Sequence, residues 1–189
     1  MSTDQRAATA NLPLFQRILG QSWQQLAPPI RQLHSVTGSS SFAGRCTVRR
    51  GGNPLARLMG WVMGFPKAGA DQPIRVRLSV QGDGERWVRT CGGRSFASTQ
   101  QPAQHRSERL VSERFGPVAV EMSLRAEGPE LRYSVRRWSL LGIHLPLAWG
   151  PRSTAAESVH DGAFKFDVEV GLPLAGLIVH YVGVLTPEA

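Results

Sequence analysis

Apolar and polar positions alternate with a period of two through most of the chain, the signature of strands with one face buried. IRVRLSV is the clearest case: Ile74, Val76, Leu78 and Val80 share one face, and Arg75, Arg77 and Ser79 the other. The same alternation runs through GRCTVRR (Cys46 and Val48 inward), ERWVRT, VAVEMSLR (Val118, Val120, Met122, Leu124), LRYSVRRW and AFKFDVEV (Phe164, Phe166, Val168, Val170). Two further short strands are expected near 94–100 and 107–115. GLIVHYVGVL is apolar on both faces, as a strand covered on both sides should be. QGDG and AEGPE between neighbouring runs are hairpin turns, and GSSS at 38–41 is expected to be a loop.

Only the front of the chain has helical spacing. From Pro13, the residues Phe15, Ile18, Leu19, Trp23 and Leu26 fall on one face, until Pro28-Pro29 ends or re-aims the helix. Ile30 and Leu33 suggest one more turn before Gly38. The second helix lies in NPLARLMGWVMGFPKAG, residues 53–69, where Asn53 is placed to cap and Pro54 sits at the first helical position. Its Leu55, Leu58, Met59, Val62 and Met63 recur at helical spacing, yet its other face offers only Arg57, two glycines and Trp61.

Nine or ten short strands joined by turns, with no βαβ repeat, predict a mainly β fold. The expected architecture is an antiparallel up-and-down meander forming a barrel or half-barrel, covered by the N-terminal helix and by the short helix between the first strands. An α+β open sheet with helices on one face is the alternative. Residues 1–11 read as a polar, disordered tail and 12–189 as one domain.

Composition changes this picture little. The chain has 189 residues, 41% hydrophobic and 19% charged, with 20 glycines and 13 prolines, which suits a turn-rich globular domain. The net charge of +8 raises a nucleic-acid reading. That reading is set aside because the basic residues, all Arg except Lys67 and Lys165, are scattered and alternate with apolar positions instead of forming one patch. Cys46 and Cys91 form no CxxC and stand in no His/Cys cluster, so two free, buried thiols are expected and no metal site. No signal-like run precedes the domain and no stretch is apolar for the roughly 18–20 residues that span a bilayer. The expectation is a soluble cytoplasmic protein.

Several segments, LFQRILGQSWQQLAPPIRQLH, NPLARLMGWVMGFP, ERWVRTCGGRSFAST, SERFGP, LGIHLPLAWGPR and DGAFKFDVEVGLPLAGLIVHYVGVL, together resemble domain-of-unknown-function family 4166, an uncharacterised bacterial family. Cys91 stands where that family usually has an aromatic, and His144 where proline is common. The resemblance implies one domain and, since some members are fused to a saccharopine-dehydrogenase-like NAD-binding domain, a possible dehydrogenase-like partner. It implies no activity.

Nucleophile, zincin, Walker and dinucleotide motifs are absent, and His34, His105, His144, His160 and His180 have no metal spacing. No cofactor is expected. The candidate ligand-binding residues are polar or amphipathic side chains on strand faces. Arg114, beside Glu113 in ERFGP, is placed to fork onto an anionic group. Trp87 and Arg89 share a face, where an aromatic and a cation can line a pocket. Arg137 is the odd polar member of the Tyr133, Val135, Arg137 stripe. His180 and Tyr181 face opposite ways, so one points inward. A Glu157 facing Arg114 or Arg137 would make an acid–cation pair. Each has a plainer reading, as a core residue or a surface ion pair.

The leading expectation is binding of a hydrophobic or amphipathic small molecule, lipid-like, in a barrel cavity gated by the 53–65 helix. Leu55, Leu58, Met59 and Val62 would point inward at its mouth, with Trp61 and Phe65 at the rim and room for peripheral membrane contact. One alternative is an enzyme or accessory domain that brings Glu113, Arg114, Arg89 or His180 together. Another is a structural or partner-binding domain without a ligand.

Overall fold

The computed structural model describes residues 12–103 and 110–188. The 1–11 tail, His105 and the first residues of the strand expected at 107–115 lie outside them. The chain opens with α1 (Leu14–Leu19), a 3-10 segment (Gly20–Gln25) and α2 (Pro28–Leu33). The single helix expected from Phe15 to Leu26 is divided because Gly20 takes φ +57°, a left-handed conformation open to glycine. Then follow β1 (Ser39–Arg50), α3 (Pro54–Val62), β2 (Gly69–Gln81), β3 (Gly84–Cys91), β4 (Arg94–Pro102), β5 (Leu110–Phe115), β6 (Val118–Glu127) and β7 (Glu130–Leu140). The two-residue β8 (Ile143–His144), β9 (Arg152–His160), β10 (Ala163–Leu172) and β11 (Gly176–Pro187) complete it. GSSS is not a loop: Ser39 already pairs with Ser79 of β2.

Each strand pairs antiparallel with its sequence neighbour, β9 follows β7 with β8 as a short extension, and β11 returns to β1. The sheet therefore closes into a ten-stranded up-and-down barrel, as the alternation predicts, and the open-sheet alternative is excluded. Closure pairs Phe42 with Pro187 and Arg50 with Val179, so neither β1 nor β11 is left as a free edge.

The barrel has two distinct ends. The turns β2–β3, β6–β7 and β9–β10 share one end with the N-terminal helices, called here the helical end. α1 and α2 plug it with Phe15, Leu19, Ile30 and Leu33, all at most 1% exposed. Arg17 ties the plug to Asp83 of the β2–β3 turn (2.5 Å), and the Ala27 N–H donates to the Pro129 carbonyl of the β6–β7 turn (3.0 Å). The β1–β2, β3–β4, β5–β6, β7–β9 and β10–β11 connections, which include α3 and the segment from 141 to 151, crowd the opposite end, the loop end. Cys46 and Cys91 are free, buried thiols with their Sγ atoms 2.8 Å apart.

Candidate functional site

An eight-stranded barrel is just filled by its own side chains, and ten strands leave more room. The lumen here contains a cavity of about 120 Å³. Most of its wall is apolar: Ile74, Val76, Val120, Met122, Phe164, Phe166, Val168 and Val170 come from the inward positions of their strands. Leu33 of the plug forms the floor, and Met63, Phe65, Phe115 and Val118 line it towards the loop end.

A polar cluster interrupts this wall. The Arg89 guanidinium donates to Ser98 Oγ (2.8 Å) and pairs with Glu113 Oε1 (3.1 Å), and Ser98 Oγ donates to the same carboxylate oxygen (2.6 Å). The Arg89 cation lies 4.8 Å from the Trp87 ring centroid and 5.6 Å from that of Phe96, so it is held by charge and by aromatic faces. Gln100, opposite Glu113 in register and 3% exposed, lines the cavity with its Oε1 unpartnered among the described residues. An unsatisfied buried amide oxygen costs free energy unless a donor reaches it.

A second buried network closes the floor. Glu157 accepts from the Tyr133 hydroxyl (2.7 Å) through Oε1 and lies 2.7 Å from His34 Nε2 through Oε2. The His34 ring stacks on Phe15 at 3.7 Å between centroids. Burial, followed by the Glu157 carboxylate, holds the Tyr133 phenol well above its ordinary pKa. Burial likewise pushes Tyr181, on β11, up to about 12. Both tyrosines stay protonated as donors at neutral pH.

Of the residues singled out in the sequence, Trp87, Arg89, Glu113, Tyr133 and Tyr181 line the lumen together. Three others face outward. Arg114 lies on the outer face of β5, in a shallow polar cleft of about 270 Å³ that also contains Arg137. The stripe that placed Arg137 beside Tyr133 is broken by a β-bulge: the β6–β7 register steps from Met122–Val135 to Glu121–Arg137, skipping Arg136. The extra residue reverses the alternation, and Arg137 pairs outside the barrel with Glu121 at 3.2 Å. His180 faces outward and pairs with Asp167 at 2.8 Å. The Glu113, Arg114, His180 constellation considered for an enzyme is therefore not assembled in one place. Glu157 meets His34 and Tyr133 in place of Arg114 or Arg137.

α3 is turned so that three of the four residues expected inward at the mouth, Leu55, Leu58 and Val62, face out, and only Met59 packs inward. Leu55, Leu58, Trp61 and Val62 are exposed; Ala56 and Gly60 are buried, and Met59 and Met63 pack against the core. Large apolar residues usually face inward, but here the small ones allow a closer approach. A Cβ on Gly60 would lie 1.6 Å from Arg50 Nη2. The Arg50 guanidinium donates to the carbonyls of Phe65 (3.2 Å) and Pro66 (3.0 Å), and so pins the segment that carries Met63 and Phe65 over the lumen.

Sequence reasoning did not single out Gln100 and Ser98. Their signal was the alternation Phe96, Ser98, Gln100, which puts two polar residues on the inward face of β4. The partner of Glu157, His34, is 123 residues away in the chain and carried no local signal.

Fold and lumen together define a closed, antiparallel ten-stranded barrel, plugged by helices at one end, with an apolar interior and a buried polar cluster. A protein-family model described as "Domain of unknown function (DUF4166)" matches residues 26–185, and the chain belongs to that family. No curated protein and no solved structure matches it.

Proposed function

We propose that the barrel binds a small amphipathic molecule in its lumen, with a hydroxyl-bearing head at the Arg89–Glu113–Gln100 cluster and an apolar chain leading to the loop end. The observation that carries this reading is the Gln100 Oε1, unpartnered among the described residues, beside the Arg89–Glu113 pair in a mostly apolar cavity. A hydroxyl can donate to that oxygen and accept from Arg89 at once, which a hydrocarbon or a simple anion cannot. The wall from Val120 and Met122 to Val168, Val170, Met63 and Phe65 suits a hydrocarbon chain, and methionine adapts to irregular shapes. The cavity is on the scale of engineered apolar cavities of roughly 150 Å³ that admit benzene, so it takes the head and the first methylenes of a chain, the remainder passing Met63 and Phe65 towards the loop end. This favours a slender chain over a fused-ring ligand. Met63 and Phe65 act as the gate in this reading, held by Arg50.

Isothermal titration of the full chain with a medium-chain fatty alcohol such as decanol tests it. One-to-one binding is expected, abolished by Ala155→Trp, which fills the lumen, and weakened about tenfold by Gln100→Leu, the loss of roughly one hydrogen bond. Ser153→Phe serves as a second filling variant should Ala155→Trp fail to fold. No binding, or binding that a folded filling variant leaves unchanged, overturns the proposal.

A further inference from the structure

The exposed large apolar residues are not scattered. Among the described residues, only Leu12, Val80 and Val159 lie elsewhere; all the others are on three consecutive connections around the loop end. α3 contributes Leu55, Leu58, Trp61 and Val62. The β10–β11 turn contributes Leu174, which is 87% exposed. The segment between β7 and β9 contributes Leu141, Ile143, Leu147 and Trp149, with Leu140 at its start. Strand order places the β7–β9 segment next to the β10–β11 turn, and that turn next to α3. Single exposed apolar side chains are ordinary, but an arc of this extent marks a surface that something covers.

Charge indicates what covers it. The five connections at this end, residues 51–68, 92–93, 116–117, 141–151 and 173–175, contain no Asp or Glu. They carry Arg57 and Lys67, both exposed, and the strand ends beside them add Arg94, Arg114 and Arg152. Asp83, Glu127, Glu130, Asp161 and Glu188 lie at the helical end, and the exposed Asp71, third residue of β2 and so near the loop end, is paired with Arg45. Tryptophan and leucine set among arginines, on connections that carry no acid of their own, suit the interface of a bilayer that contains anionic lipid: the apolar tips enter the headgroup boundary and the cations meet phosphates. A second copy of this chain fits less well, because it would bring the same positive charge to the same face. The outer wall of the barrel, with Arg75, Arg77, Arg86 and Arg125 exposed, is not a lipid-facing surface. Contact is therefore confined to the end.

We propose that the loop end of the barrel docks on the surface of an anionic lipid bilayer, with α3 and the 141–149 segment lying in the interface. Docking would set the mouth of the lumen, at Met63 and Phe65, against the membrane. The proposal does not require the lumen to hold a ligand.

Co-sedimentation of the full chain with vesicles tests it, using phosphatidylcholine alone and phosphatidylcholine mixed with phosphatidylglycerol. Binding to the mixed vesicles is expected, weaker on phosphatidylcholine alone and weakened by salt. Quenching of tryptophan fluorescence by brominated lipid should accompany it and should fall in Trp61→Ala. The double variant Leu58→Asp/Trp61→Asp should lose about tenfold or more in vesicle affinity while keeping its circular dichroism and its decanol binding. Ala155→Trp should lose decanol and keep the vesicles. Absence of vesicle binding overturns docking, as does unchanged binding of the double variant. A concentration-dependent dimer that the double variant dissolves, without vesicle binding, overturns it in favour of contact between copies.

Discussion

At the helical end of the barrel Phe15, Ile30 and Leu33 are completely buried, whereas at the loop end Trp61, Leu141 and Leu174 are between 67% and 87% exposed. The same strands run between the two ends, so the wall does not account for the difference. The helical end is finished as core. Its polar groups are drawn into internal pairs: His34 with Glu157, Glu157 with Tyr133, and Glu85 with the Trp87 indole at 3.0 Å. The loop end is finished as surface: Leu55, Leu58, Trp61 and Val62 of α3 turn outward and Ala56 and Gly60 turn in, with Met63 and Phe65 alone reaching over the lumen from that segment. One end is closed as core, and the other presents its apolar residues at the surface. Substitutions at the two ends should therefore differ in kind as well as in size.

The largest effect is expected from Phe15→Ala, which removes the ring stacked on His34 and leaves a void in the plug. A loss of about 3–5 kcal/mol in urea denaturation is the expected cost of deleting a fully buried phenylalanine. Glu157→Ala comes next: it leaves the Tyr133 hydroxyl and His34 buried without their shared acceptor, a loss of about 3 kcal/mol, and Glu157→Gln should recover part of it. A smaller, pH-dependent effect belongs to Glu85. Burial is the largest influence on its carboxyl and raises its pKa above the ordinary 4.5, against the weaker opposing pull of His34, Trp87, Leu14 and Arg17. The folded chain thus holds a proton that the unfolded chain has released, so stability falls as pH rises from the ordinary value through the raised one. Glu85→Gln keeps an acceptor for Trp87 and should flatten that part of a plot of urea midpoint against pH. The smallest effect is expected from Leu58→Ser and Trp149→Ser at the loop end, within about 0.5 kcal/mol by the same denaturation. A loss above about 2 kcal/mol there would mean that the loop end is core after all, and the contrast between the ends would fail.

The barrel wall was legible in the sequence because a strand with one buried face writes its orientation into alternate residues. IRVRLSV and AFKFDVEV could be read without knowing their partners, but full closure, as against a half-barrel or an open sheet, depends on β11 meeting β1 and was not decided by their pattern. The failures occur where something other than alternation decides. The bulge at Arg136 leaves no mark in composition, yet it moves Arg137 from the lumen to the outer face. α3 has two apolar faces, and size alone favoured burying Leu55, Leu58 and Val62; the close approach to Arg50 decided for Ala56 and Gly60. Within the candidate site, Trp87, Arg89 and Tyr133 were legible as members of alternating strand faces, whereas the choice between His180 and Tyr181, and between Glu113 and Arg114, was left to the structure. Gln100 was equally inward but drew no notice, since a lone glutamine in a strand carries meaning only once its oxygen is seen to lack a donor. The floor network depended on a helix meeting a strand far along the chain, which no local pattern encodes.

The most direct measurement is native mass spectrometry of the protein, purified without detergent and mixed with a cellular lipid extract, beside the Ala155→Trp variant. A one-to-one adduct of a hydroxylated amphiphile on the natural chain, missing from the filled variant, is the result expected of a lumen that binds through its Gln100 cluster. Bare protein mass at every lipid concentration, or the same adducts on both proteins, would contradict it.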